Sequence, residues 1–280
     1  MAIRIVTDSS ADLPAQLAQQ RLITVLPCYV MIDDVSYKDG VDLSPDDFYQ
    51  RLVSMARPPT TAQPSTADFQ TVYAALLEEG HQILSIHVSG KLSGTLNAAE
   101  QAKTALGGDP PIRIIDSRLA SIPLGLAALQ AADAAQRTES LQELTQQVRL
   151  ELPLNEAFFL LDTLEFLEKG GRVGKAQAFL GSILRVKPIL RLSDGEVHPV
   201  ERPRTQAKAL ARLLELAKQL GPAQRVAVIY STEEEAARHL RRDLTDLAPE
   251  EDIIIARFGP TLGTYVGPGA LGIALTRRAN

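Results

Sequence analysis

The sequence predicts an α/β fold of two α/β domains, with a parallel sheet in the N-terminal domain and a mixed sheet in the C-terminal one. Three observations carry this expectation. The chain has 280 residues, more than one hydrophobic core usually serves, and roughly 150 residues per domain gives about two domains. In the first half, short β-branched runs alternate with capped helical patterns, as they do where crossover helices join parallel strands. In the second half, Asp194-Gly195 separates two apolar runs and marks an antiparallel hairpin.

Taken in order, buried strands are expected at 3–7, 23–26, 83–88 and 112–115, where Ile, Val and Leu run together. Ser44-Pro45-Asp46-Asp47 is a helix start, a capping serine followed by proline at the first helical position. Ser65 caps a helix ending at Gly80, and another helix runs over 94–105. The pattern changes near Leu152-Pro153-Leu154-Asn155, which places the domains at 1–155 and 156–280. Beyond it, the hairpin joins Ile189-Leu190-Arg191-Leu192 to Val197. Helices over 205–220 and 233–247, the second with Thr232 and Glu235 as a capping box, separate strands at 226–230 and 253–258. A strand at 271–276 follows. There is no internal repeat and no low-complexity linker.

Composition narrows the function. A hydrophobic fraction of 45% and a charged fraction of 22% belong to a folded globular chain. The formal net charge is -5, and the 29 Lys and Arg residues are scattered, so nucleic acid is not an expected partner. The single cysteine, Cys28, makes no internal disulfide and reads as a small buried hydrophobe in a reducing compartment. His81, His87, His198 and His239 lack ligand spacing, so neither a metal nor a cofactor is expected. The opening Met1-Ala2-Ile3-Arg4-Ile5-Val6 enters a strand without a charged leader, and no apolar stretch reaches about 18 residues, so the expected location is the cytoplasm.

Ligands of open parallel sheets bind beyond the carboxyl ends of the strands. Thr7-Asp8-Ser9-Ser10-Ala11-Asp12-Leu13-Pro14 lies there, and reads either as a site or as a plain turn with an N-cap. Ser89-Gly90-Lys91-Leu92-Ser93-Gly94-Thr95 opens a helix; it is either an anion site built on free N–H groups or a simple helix start. It lacks both the P-loop ending and the G-x-G-x-x-G order, which speaks against nucleotides. Pro58-Pro59-Thr60-Thr61-Ala62-Gln63-Pro64-Ser65 reads as a proline-stiffened loop offering hydroxyls. In the second half, Gly170-Gly171 reads as a helix C-cap with Arg172 beyond it, and 259–269, rich in glycine and proline, reads as a backbone that approaches a ligand or another segment closely.

Eight pieces together resemble the DegV family of bacterial fatty-acid-binding proteins: Thr7-Asp8-Ser9-Ser10-Ala11-Asp12-Leu13, Tyr37-Lys38-Asp39-Gly40, Pro59-Thr60-Thr61-Ala62-Gln63-Pro64-Ser65, Leu92-Ser93-Gly94-Thr95, Ile115-Asp116-Ser117, Lys169-Gly170-Gly171-Arg172-Val173, Lys187-Pro188-Ile189-Leu190 and Gly267-Pro268-Gly269-Ala270-Leu271-Gly272. The resemblance implies the family's EDD-like fold, two α/β domains with a lipid tunnel between them, and a cytoplasmic carrier that performs no chemistry itself. It implies that a long-chain fatty acid (C14 to C18) is the ligand, that a fatty acid kinase is the partner and makes an acyl phosphate, and that contact with a membrane is transient. Carried over, Thr61 and Ser93 hold the carboxylate, with backbone N–H groups near Gly94 and Thr95. Arg172 and Arg204 match basic positions at the tunnel mouth, and Asp8, Ser9 and Ser117 are further pocket candidates. The chain departs from the pattern at Ala62, where many relatives have serine, and at Tyr265, where many have histidine. A tyrosine hydroxyl still donates but does not titrate near neutral pH, so the resemblance with this change implies a flatter pH dependence of binding.

Two rival functions use the same loops. One is a serine-dependent esterase or acyl transferase with Ser93 or Ser9 as nucleophile and Asp8 or Asp116 nearby. No histidine sits in these loops, and no G-x-S-x-G elbow is present, so a positioned base is not evident. The other is a phosphometabolite-binding protein using the helix start after Ser93.

Overall fold

A computed structural model describes residues 2–180 and 186–278. The chain opens with β1 (Ile3–Asp8), a 3-10 turn at Ser9–Ala11, α1 (Ala15–Gln20) and β2 (Ile23–Leu26). There follow β3 (Tyr29–Ile32), β4 (Val35–Lys38), α2 (Pro45–Leu52), β5 (Thr60–Ala62) and α3 (Thr66–Glu78). The first half closes with β6 (Gln82–His87), α4 (Thr95–Ala105), β7 (Ile112–Asp116), α5 (Ile122–Ala135) and α6 (Leu141–Glu151). The second half runs β8 (Asn155–Leu160), α7 (Glu165–Lys169), β9 (Ile189–Ser193), β10 (Glu196–Glu201), α8 (Gln206–Gln219), β11 (Ala223–Tyr230), α9 (Glu234–Asp243), β12 (Ile254–Arg257), α10 (Pro260–Val266) and β13 (Leu271–Arg277).

Two large sheets result. The first, in the order β2-β1-β6-β7, is parallel throughout. The second, β10-β9-β8-β13-β11-β12, is antiparallel except for the pair β11 and β12. Parallel and mixed sheets thus fall where the sequence places them. Local signals explain the agreement: Ser44 caps α2 by accepting from Asp47 N–H, Ser65 and Asp68 form a reciprocal capping box on α3, and Thr205 caps α8, each worth on the order of 1 kcal/mol. Asp194 and Gly195 both adopt positive φ, as a tight hairpin turn requires.

The helix α5 is buried along almost its whole length and packs on β1 as well as on β8 and β13. It joins the sheets, and one cluster of buried side chains runs continuously from Ile5 and Ile86 to Phe159, Leu190 and Phe258. Among the described residues, no helix is long and apolar enough to cross a membrane.

Three local expectations are corrected. The proline-bounded stretch before Ser65 is not simply a loop: β5 adds to the β3–β4 hairpin, pairing Thr61 with Val30, and makes a third sheet. The glycine- and proline-rich 259–269 folds as α10 with Pro260 at its first position, followed by Gly267 and Gly269 at positive φ. The Thr232–Glu235 capping box does not form. The Thr232 hydroxyl accepts instead from Gly269 N–H at 3.0 Å, and α9 starts at Glu234 with no side-chain cap.

Candidate functional site

A cavity lies between the two large sheets and is open at one end. Its wall is mostly apolar, with Phe159, Leu161, Leu190, Leu192 and Phe258 from the C-terminal half, and Leu262 and Val266 from α10. Exposed residues Ala62, Gln63 and Arg172 mark its open end. Thr61, Ser93 and Tyr265 line it as well.

These polar groups are tied to one another. Thr61, half-buried on β5, hydrogen-bonds through Oγ1 with the Tyr265 hydroxyl at 2.5 Å. The Tyr265 ring rests against Gly170, where a Cβ would lie 2.5 Å from ring Cδ1, so a side chain there would displace it. The Arg172 guanidinium lies 5.2 Å from the Tyr265 ring centroid, a cation–π geometry, and donates to Leu92 O (3.3 Å) and Gly170 O (2.7 Å). The Ser93 hydroxyl accepts from Thr95 N–H at 3.3 Å and bonds Thr95 Oγ1 at 2.8 Å. Gly94, the N-cap of α4, provides no side-chain cap. The Ser93 hydroxyl thus takes up the Thr95 N–H at this helix start. Chemically, this end offers hydroxyls and a guanidinium to an anion, in front of an apolar hole.

Gln63 is a member of this group that sequence reasoning passes over. Its side-chain amide lies over Gly94, with Nε2 3.1 Å from where a Cβ would be. Gln63 directly follows β5, and it lines the cavity together with Thr61.

Other candidates fall elsewhere. Gly94 and Thr95 stand just behind Ser93 and are not in the lining. Arg204 is exposed, outside the lining. Ser117 is buried and donates to His87 O at 2.6 Å. Ser9 lines a second cavity, where its hydroxyl donates to Asp39 Oδ2 at 2.7 Å. Asp8 lines neither cavity: it is fully buried, accepting from Ser10, from Val88 N–H at 3.2 Å and from His87 Nδ1 at 2.9 Å. As pocket candidates, Asp8 and Ser117 are thus replaced by Ser10 and Ser121, which do line the first cavity.

No histidine sits in the loops themselves, but His87 at the end of β6 is hydrogen-bonded to Asp8. His87 Nε2 accepts from Ser85 Oγ at 2.7 Å, and Ser85 accepts from the Tyr73 hydroxyl at 2.8 Å, so serine, histidine and aspartate are connected as in a hydrolase triad. All three have zero exposure, however, and Ser85 lines neither cavity. Ser9 and Ser93, the expected nucleophiles, bond Asp39 and Thr95 instead. Among the described residues, no group of three or more His, Cys, Asp or Glu could hold a metal ion.

The second cavity is lined by Asp12 and Asp39 as well as Ser9. Burial pushes both carboxyls above the ordinary value of 3.8, and neighbouring carboxylates push further. In the unfolded chain these groups lose their protons near 3.8, in the folded one only at higher pH, so the stability they confer is full below that value and is lost as pH rises through the folded values. Asp12→Asn removes one such group. As pH rises from about 4, the lipid-free melting temperature of the variant is expected to gain on that of the wild type; a constant offset would refute the assignment.

Comparison with known proteins agrees with the geometry. The family profile described as "Uncharacterised protein, DegV family" matches residues 2–278. A DegV domain-containing protein of Listeria innocua is 36% identical, with 97% of each chain covered. A fatty-acid-binding DegV family protein from Thermus thermophilus superposes with a TM-score of 0.91 at 34% identity, over 99% of this chain and 100% of its own. DegV of Bacillus subtilis, a fatty acid binding protein, gives 0.88 at 31% identity, over 99% of this chain and 100% of its own. With the whole fold and nearly the whole length in common, this chain belongs to the DegV family.

Proposed function

We propose that this protein binds a long-chain fatty acid of the C14 to C18 class in the cavity between its sheets, with the carboxylate at Thr61, Ser93 and Tyr265 and the N–H groups near Gly94 and Thr95. The observation that carries the reading is one cavity with an apolar wall and uncharged donors at its open end. The Thermus thermophilus and Bacillus subtilis relatives, which bind fatty acids, support it. In this reading residues 1–155 supply most of the carboxylate donors and residues 156–280 enclose the chain, while Arg172 and Arg204 face a fatty acid kinase that takes the bound acid as substrate. The protein works in the cytoplasm as a carrier and makes or breaks no bond itself.

The energetics fit a carrier. Burying about fourteen methylenes yields roughly 11 kcal/mol before ordering costs. A buried carboxylate without partners would cost several kcal/mol, which donors at the open end offset. Ser93→Ala or Thr61→Val is expected to weaken palmitate binding by about 1–3 kcal/mol, roughly five- to 150-fold, with the lipid-free melting temperature lowered by no more than a few degrees. Calorimetric titration checks this, and wild-type affinity in both variants would remove these hydroxyls from the site. Organic extraction of the purified protein followed by mass spectrometry tests the ligand class. A C14 to C18 fatty acid is expected; a polar phosphate compound would favour the phosphometabolite reading.

A further inference from the structure

Three motifs that stand out in the sequence are not among the carboxylate donors: the Asp12 end of the opening loop, the Tyr37-Lys38-Asp39-Gly40 turn, and Gly259-Pro260-Thr261. In the fold they meet. Asp12, held at positive φ, accepts from Gly259 N–H at 2.8 Å through one oxygen and from the Ser121 hydroxyl at 2.7 Å through the other. Asp39 accepts from the Ser9 hydroxyl at 2.7 Å and from Thr261 N–H at 3.4 Å. Gly259 is wedged between them: a Cβ there would lie 3.1 Å from Asp39 Oδ1 and 3.4 Å from Asp12 Oδ1.

This is the start of α10. Pro260 has no N–H, so the residues on either side of it supply the first donors, and both donate to acids more than two hundred residues away in the chain. Carboxylates at a helix start also meet the positive end of its dipole. A helix of seven residues has little stability of its own, and its place is set by what holds it. At the other end of α10, Tyr265 is held by Thr61. Between these anchors, Thr261, Leu262, Tyr265 and Val266 form one side of the lipid cavity. Neither Asp12 nor Asp39 lines that cavity.

We propose that Asp12 and Asp39 are positioning residues for lipid binding, fixing the start of α10 so that Tyr265 reaches the carboxylate end of the cavity. The proposal rests on the reading that this cavity takes a fatty acid. What positions the helix is the pair of acceptor oxygens, so an amide in place of either acid should serve, whereas a methyl group should not.

The experiment is a double-mutant cycle read by palmitate titration, with lipid-free melting as the control for folding. Asp39→Ala and Asp12→Ala are each expected to weaken palmitate binding about tenfold, and Asp39→Asn and Asp12→Asn by no more than about twofold. In a Tyr265→Phe background, Asp39→Ala is expected to cost no more than about threefold further, because the group it positions is gone. Wild-type affinity in both alanine variants, or a full tenfold loss retained in the Tyr265→Phe background, overturns the positioning role while leaving the lipid reading intact. Should the alanine variants fail to fold, amide hydrogen exchange on the lipid-free wild type decides: the Gly259 and Thr261 N–H groups exchange slowly if the acids hold them, and fast exchange overturns the proposal. A wild-type protein that takes up no palmitate overturns the lipid reading itself, and the proposal with it.

Discussion

Replacing Leu192 by tryptophan is expected to weaken binding of an eighteen-carbon fatty acid about a hundredfold. Leu192 lies on β9, is half-buried and lines the cavity wall contributed by the six-stranded sheet. An indole carries about six more heavy atoms than the leucine side chain, and here it has an empty hole to enter in place of packed neighbours. If it displaces about four methylenes, the loss is about 3 kcal/mol, or two orders of magnitude in affinity. The lipid-free melting temperature should hold or rise, because the new ring fills space that the wild type leaves open. Calorimetric titration with stearate reads the effect. Wild-type affinity in the variant would place the acyl chain somewhere other than this cavity.

What the sequence made legible and what it hid divide along the range of the interactions. The parallel strands stand out because Ile83–Leu84 and Ile114–Ile115 sit in apolar runs, and the starts of α2, α3 and α8 because a serine or threonine caps an N–H three residues on. Each signal lies within a few residues of its effect. By contrast, β5 is Thr60-Thr61-Ala62, with no apolar run, and is a strand only because β3 offers it a partner. The Asp33-Asp34 turn, both residues at positive φ between apolar flanks, could have revealed the β3–β4 hairpin. The capping box at Thr232 failed because Gly269, brought close by the fold, claims that hydroxyl. At the site, Thr61 and Ser93 were legible only together with the other motifs, through the resemblance. The bond from Asp8 to His87 spans 79 residues, and no local pattern announces it.

Gly267→Ala is the substitution expected to cost the fold most, about 3–5 kcal/mol, or roughly 10 °C in melting temperature. Gly267 ends α10 at φ 69° and ψ -175°, a conformation that essentially only glycine adopts. A Cβ there would also run into the Phe166 ring, 2.5 Å from its Cε2. Strain and collision add, because relieving one by rotating the backbone would break the bond from Gly267 N–H to Gly263 O that finishes the helix. Gly108→Ala separates the two contributions: its φ is also positive, at 63°, but no heavy atom lies within 4 Å of the added carbon. That variant should lose only about 1 kcal/mol, from strain alone. Equal losses in the two proteins would show that the Phe166 ring gives way without cost. A larger loss at Gly267 carries a consequence for binding, since Phe166 belongs to α7, and α7 ends at the glycine on which the Tyr265 ring rests. Pushing Phe166 outward shifts that seat, so the surviving folded protein should also bind palmitate less tightly.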